Sequence, residues 1–463
     1  MLQQLDDLAL ALGGQLWTIV IYAGLALGIF YTVKTGLIQF SLFGDAIDLV
    51  KKQIQKGKDV NGVSGFQAFC VTLGGCIGTG NVGGVAMAIL AGGPGVVPWM
   101  WLFALLGAGT SFAENTLAQV YKVEKDGEFR GGPAYYMWKG LGQKWLGNIY
   151  ALVMIISLGI CLVGLQTSSI ALSMQGAFGI SSAVISFIVA VLIGLVIFGG
   201  IKRITEVAEA GVPIMTLVYL IMLILVIVLN IKNVPAAFAA IFAEAVSPRS
   251  VAGATFATVF MNGIKRGVFS SGAGHGDAPT TGAAATVTHP VKQGLFGTLA
   301  IYMDTLVVCT ATALVIIFTG VYQTSDKVGI ELAQQAFVTG IGGWAAYVFA
   351  LCIMMFCFTS IMANYYCGET CLAYLSHSMK GKTIFRIFFV IVVFLGGVLE
   401  INLIWDIADA MLALMIITNM CALPFLAGKL KLVIQDYQKQ KKAGKDPVFH
   451  AAEAGIENTE CWD

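Results

Sequence analysis

The sequence predicts an all-α polytopic membrane protein with about 11 transmembrane helices, arranged as an inverted five-plus-five repeat behind one extra N-terminal helix. Three observations predict it. The chain is 57% hydrophobic and 11% charged, with a mean hydropathy of +0.83, against the ~25% charged residues of a soluble domain. Uncharged runs such as residues 66–92 are long enough to cross a bilayer, which takes roughly 20 residues. Lysine and arginine gather in alternate joins between those runs, as the positive-inside rule requires.

Taken in order, the expected spans are Gln15 to Val33, Phe66 to Gly92, Val96 to Val120, Asn148 to Met174, Ser181 to Gly200 and Glu206 to Asn230. Then follow Asn262 to Val287, Gly294 to Gly320, Ile341 to Leu375, Ile384 to Asn402 and Trp405 to Ala427. Lys34, Lys51, Lys52, Lys56 and Lys58 follow the first span; Lys122, Lys125, Arg130, Lys139 and Lys144 follow the third; Lys202 and Arg203 follow the fifth. Lys292 lies beyond the seventh, Lys380, Lys382 and Arg386 beyond the ninth, and a basic tail beyond the eleventh. Odd-numbered spans therefore end inside, which puts the N-terminus outside and the C-terminus in the cytoplasm. Trp99, Trp101, Trp344 and Trp405 fit interfacial anchors. The segment FRGGPAYYMWKGLG (129–142) reads as a helix hairpin on the cytoplasmic surface.

The net charge of +1 gives no indication of nucleic-acid binding, because the charges fall in loops and tails. MLQQLDDLALALGG lacks a basic region ahead of its apolar stretch, so no cleaved signal peptide is expected. Ten cysteines include no C-x-x-C pair, and buried, inert thiols are expected rather than a zinc site or disulfide framework.

The second span holds GTGNVG (78–83), the letters of a dinucleotide-binding turn. That fingerprint needs a preceding strand, a βαβ unit and an acidic residue about 20 positions on, none of which the sequence offers. Six of the twelve residues from Leu73 to Gly84 are glycine. Such a stretch can unwind inside a membrane, and its free amides and carbonyls then suit a carboxylate and a cation. Close helix packing of the G-x-x-x-G kind is the alternative. An offset of 196 residues lays Gly78, Gly80 and Asn81 over Gly274, Gly276 and Asp277, and Pro94 over Pro290. Two glycine-broken spans at corresponding positions point to an inverted repeat of a secondary transporter. The organisation is then an N-terminal helix and amphipathic segment (1–65), a first repeat (66–230), an extracellular linker (231–261), a second repeat (262–427) and a cytoplasmic tail (428–463). Under the same offset Lys265 and Arg266 fall in the first turn of the seventh span, where long side chains snorkel to the surface.

Further polar residues in the spans are Gln166, Asp304, Thr359, Ser360, Asn364, Glu114 and Glu369. Buried Ser and Thr commonly bond their own helix, and Glu114 and Glu369, near inner ends, read as structural or gating partners. His275 beside Asp277 serves either proton coupling or a polar lining.

The strings GTGNVGGVAMAILAGGPGVVPWMW, SFAENTLAQVYK, FRGGPAYYMWKGLG, FGGIKRI, GIKRGVFS, HPVKQG and FTSIMANYYCGE resemble the alanine or glycine:cation symporter family, the bacterial sodium:alanine symporters, over nearly the full length. The resemblance implies the amino-acid–polyamine–cation superfamily, the inverted core of the bacterial leucine transporter, and a place in the bacterial inner membrane. It implies sodium-coupled, sometimes proton-coupled, uptake of a small neutral amino acid by alternating access, with Na+ as coupling ion and no enzymatic cofactor. By the same resemblance, amides near Thr79 and Gly80, beside Asn81, meet the substrate carboxylate. Carbonyls of Gly74, Ile77 and Phe356 with hydroxyls of Thr359 and Ser360 hold sodium. Gln166 and the segment bearing Ser270, Ser271 and Gly274 face the substrate.

The chain departs from the family's usual S-N-E-A-G, reading Ser270, Ser271, Gly272, Ala273, Gly274, and Asp277 stands where a small residue is commoner. The departures leave open another neutral substrate, such as glutamine or serine, and a proton as coupling ion. A passive channel is the alternative from another class. A membrane-embedded enzyme lacks support, with four histidines and neither H-E-x-x-H nor G-x-S-x-G.

Overall fold

With no water in hydrocarbon, each backbone amide and carbonyl of a spanning segment is satisfied within its own helix, and the chain is helical almost throughout. The computed structural model describes residues 2–56, 62–247, 255–376, 378–399 and 402–462; Lys58, part of the expected linker and the side chains of Lys56 and Trp405 lie outside the described residues. Among the described residues, eight helices are long and apolar enough to span a bilayer, and one bent pair makes a ninth.

The first span is Leu2–Lys34, followed by an amphipathic helix, Phe43–Lys56. The second is the bent pair, Gly65–Cys76 and Gly80–Gly92, which meet at 46°. Val96–Val120 is the third, Lys144–Phe178 the fourth and Gly200–Leu229 the sixth; the shorter Ser182–Ile197 stands at the expected fifth, and the interrupted pair Phe256–Ser271 and Asp277–Gly282 at the expected seventh. Pro290–Thr319, Ala345–Leu375, Met379–Val398 and Asn402–Lys442 complete the set. The last helix runs unbroken past residue 427, where the tail was expected to begin. Side chains such as Phe187, Leu195, Leu217 and Val228 are exposed, as apolar residues facing lipid must be.

Short strands mark one face of the bundle. β1, Val63–Ser64, precedes the second span; β2, Val123–Lys125, and β3, Glu128–Arg130, follow the third; β4, Ala285–Thr286, follows the seventh. β1 pairs with β4 in parallel, Val63 opposite Ala285. The start of one broken span and the end of the other therefore lie on one face, and the two cross in opposite directions.

Three expectations change. The seventh helix begins earlier than Asn262, at Phe256, where Thr255 Oγ1 accepts from Thr258 N at 3.2 Å. Lys265 and Arg266 consequently sit about two and a half turns into the helix, and they do not snorkel from a first turn. Lys265 Nζ pairs with Asp409 Oδ2 at 2.6 Å and lies over the Trp17 ring, while Arg266 stacks on Phe269 and fills the space beside Gly84. Second, FRGGPAYYMWKGLG is no helix hairpin. Its start is β3, antiparallel to β2 across Asp126 and Gly127, both with positive φ, which is the turn that Asp-Gly favours. Third, eight of the ten cysteines are buried, but Cys421 is exposed and Cys461 half-buried; all are free thiols.

Candidate functional site

The helix ending at Cys76 stops because Ile77 turns extended, with φ −77° and ψ 107°. It resumes at Gly80–Gly84 as a widened π-helical turn, a feature that often marks functional sites. Glycine is needed here for close approach. A Cβ on Gly78 would lie 2.7 Å from Gln166 Nε2, and one on Gly80 2.9 Å from the Phe269 ring. Gln166, from the fourth span, occupies the gap: its Oε1 accepts from Thr79 N at 3.0 Å and lies 2.8 Å from Thr79 Oγ1. Its Nε2 donates to Ser360 Oγ at 3.0 Å, and Ser360 donates in turn to Gly75 O at 3.0 Å. One amide side chain thus joins the first break to the ninth span.

Asn81 faces elsewhere. Its Oδ1 accepts from Gly78 N at 3.1 Å, and its Nδ2 donates to the fully buried carboxylate of Asp304 on the eighth span. Thr305 Oγ1 donates to Asp304 Oδ2 at 2.9 Å, and Ser270 Oγ lies 3.5 Å from Thr305.

The second break is made differently. Gly272, Gly274 and Gly276 all take left-handed φ, at 70°, 85° and 88°, a region that costs residues with a Cβ. Buried side chains then grip the loop backbone. Glu114 Oε2 accepts from Gly274 N at 3.0 Å, Asn419 Nδ2 donates to Gly274 O at 3.0 Å and to Glu114, and Tyr150 donates to His275 O at 2.7 Å. Ser271 Oγ accepts from Ala273 N at 3.3 Å.

Between the breaks lies a cavity of ≈ 30 Å³, lined by Gly80, Gln166, Ser270 and Ser360 together with Phe269, Gly272, His275, Asp277 and Asn364, and walled by Leu158, Leu162 and Leu412. A larger groove of ≈ 410 Å³ along Ile19, Phe30 and Met420 is lined by apolar residues and cysteine, as a lipid-facing crease would be. Near the small cavity, Thr359 Oγ1 lies 3.3 Å from Gly74 O and 2.9 Å from Phe356 O. Of the residues expected to meet substrate, Gly80, Gln166 and Ser270 reach the cavity. Thr79 lies under Gln166, Asn81 turns to Asp304, and Ser271 and Gly274 serve the loop. Of the expected sodium ligands, Gly74, Phe356 and Thr359 cluster, Ser360 joins them to the cavity, and Ile77 is the extended residue of the break. The sequence reading missed Phe269, which adjoins Ser270 and caps Gly80. It also missed Asn419, whose role depends on a partner 145 positions away.

Residues 2–451 match the sodium:alanine symporter family. The chain belongs to that family. A Bacillus subtilis relative described as a probable sodium/glutamine symporter, GlnT, is 38% identical over 96% of this chain and 94% of its own length. The sodium/alanine symporter AgcS of Methanococcus maripaludis is 35% identical over 87% of this chain and 90% of its own. Among solved structures, a Na+-coupled sialic acid symporter in a substrate-bound outward-open state superposes with a TM-score of 0.54 at 12% identity, covering 92% of this chain and 86% of that one; this is a likeness of fold. Family membership makes the protein a multi-pass membrane transporter of the symporter class.

Proposed function

We propose that this family member takes up a small neutral amino acid, alanine or glycine, with Na+, by alternating access at the cavity between the two breaks. The observation that carries the reading is their convergence: both irregular segments line one buried cavity, and irregular backbone in a membrane survives where it is buried or lines such a space. The substrate carboxylate meets the Thr79 and Gly80 amides, taking the place that Gln166 Oε1 now holds on Thr79 N. Sodium sits among the oxygens of Gly74, Ile77, Phe356, Thr359 and Ser360. The Thr359 and Ser360 hydroxyls now donate to neighbouring carbonyls and would turn their lone pairs to the ion. All five donors are neutral oxygens, which suits a hard monovalent cation. Binding of either ligand then raises affinity for the other.

The oppositely directed broken spans support an inverted repeat, and the basic joins support an N-terminus outside and a C-terminus in the cytoplasm. On the basic face Arg130 pairs with Glu369 at 3.1 Å and Arg386 with Glu369 at 3.4 Å, contacts suited to closing an inner gate. Labelled alanine and glycine counterflow in proteoliposomes, with and without a sodium gradient, tests the reading. Uptake indifferent to both sodium and protons would sink the coupling. A second reading, glutamine as substrate, is favoured by the relative that bears that name; competition by unlabelled glutamine in the same assay separates the two.

A further inference from the structure

The cavity has a second polar end that the carboxylate and sodium contacts leave unused. Asp277, at the head of the helix after the second break, lines the cavity. Among the described residues its Oδ1 accepts only from the adjoining Ala278 N, at 2.8 Å, and Asp277 makes no ion pair. His275 lines the same cavity and is 3% exposed, yet among the described residues its Nε2 has no hydrogen-bond partner. In the tautomer protonated at Nδ1, Nε2 keeps its lone pair free, an acceptor. Both groups are held in place, His275 by Tyr150 on its carbonyl and Asp277 by its own helix.

A buried imidazole acceptor beside a half-buried carboxylate that has no charge partner among the described residues calls for a cationic donor, since an unpaired carboxylate inside a protein is costly. We propose that Asp277 and His275 Nε2 form the ammonium-binding pole of the cavity, holding the α-ammonium group of the amino acid. An ammonium carries three N–H donors and no acceptor, which fits these two groups and the neighbouring Ser270 oxygen. A bare monovalent cation such as Na+ shares the positive charge, although it has no N–H for the imidazole. This inference rests on the proposed amino-acid reading and deepens it.

The test uses the purified full-length protein in sodium, with displacement of labelled alanine by unlabelled alanine and by lactate, which keeps the carboxylate and lacks the ammonium. Wild type should prefer alanine strongly. Asp277→Asn should weaken alanine by at least roughly tenfold, leave lactate nearly unchanged, and leave the sodium-induced thermal shift of the substrate-free protein intact. Retained preference for alanine overturns the proposal. So does loss of the sodium shift alone, which would make Asp277 a sodium ligand instead. Should Asp277→Asn fail to fold, His275→Leu keeps the bulk and removes the acceptor, and it should narrow the alanine-to-lactate ratio in the same sense; an unchanged ratio overturns the proposal. Failure of the amino-acid reading looks different, because the wild type itself would then bind no amino acid.

Discussion

The two breaks look alike in sequence and are built on opposite principles. At the first, the glycines from Gly74 to Gly80 have ordinary negative φ, since none is among the left-handed positions; they are needed because other chains come close. A Cβ on Gly74 would meet Thr359, on Gly75 Ala363, on Gly78 Gln166 and on Gly80 Phe269. At the second break, Gly272, Gly274 and Gly276 supply left-handed backbone, and a side-chain scaffold clamps the result. The difference teaches a division of labour. The first break keeps ordinary backbone, bonded by Asn81 and Gln166 and covered by Phe269; the second takes left-handed backbone clamped by Glu114, Asn419 and Tyr150. Glycine substitutions at the first should cost binding, and at the second folding.

Gly276→Ala is the strongest way to break that distinction. The left-handed backbone alone costs about 1–2 kcal/mol for a residue with a Cβ, and the new atom would strike the Tyr150 hydroxyl and the Pro133 ring, adding about 1–3 kcal/mol of overpacking. The yield of monodisperse protein and its Tm should both collapse; a variant of normal Tm would show that the second break is as yielding as the first. Glu114→Ala comes next. It leaves the Gly274 N–H and the Asn419 amide without their acceptor, at about 1–3 kcal/mol for each buried unpaired donor. Glu114→Gln, which keeps one acceptor oxygen, should recover part of the lost Tm.

Gly80→Leu tests the other side. Its side chain would meet the Phe269 ring and would fill the cavity. Sodium-dependent alanine binding should fall below detection while the Tm stays close to wild type. Normal uptake by well-expressed Gly80→Leu would show that this segment is ordinary packed helix.

How legible each break was follows the same division. The first could be read almost to the residue, because its glycine density is local and its interruption follows from the neighbourhood of Gly78. The third span, Val96–Val120, was likewise legible from a run whose one charged residue is Glu114. The second break could be placed only by its offset from the first, and that arithmetic misjudged where its helix begins. Thr255 as N-cap was the signal passed over, and with it the depth of Lys265 and Arg266. Their partners, Asp409 and Phe269, come from folding distant segments together. The same holds for the contact of Asn81 with Asp304, 223 positions apart: the spacing of Gly78, Gly80 and Asn81 says where the chain unwinds, not which way its asparagine turns. Gln166 was expected at the substrate; that it already covers the Thr79 amide depends on the helix crossing.

The smallest effect concerns the face where the breaks are joined. β4, leaving the second break, pairs with β1, entering the first, and His289 follows β4 as the cap of the eighth span. Its Nδ1 accepts from Val291 N at 3.1 Å, and its Nε2 donates to Asp436 Oδ2 at 3.2 Å. Burial pushes its pKa down to about 4, with Asp436 opposing the shift. The ordinary histidine value is about 6.5, so between that pH and 4 the unfolded chain binds the proton first. The neutral imidazole therefore contributes stability that is complete above pH 6.5 and is lost as pH falls towards 4. His289→Asn keeps an acceptor for Val291 N, since asparagine is a good N-cap, and does not titrate. The Tm of wild type minus that of His289→Asn should decline across this window and level off above it; a flat difference would mean that the imidazole is not neutral in the folded state. Hydrogen exchange sharpens the comparison. Acid should loosen 285–291, on the second-break side, before residues 65–80 of the first, because the cap that titrates belongs to the second arm alone.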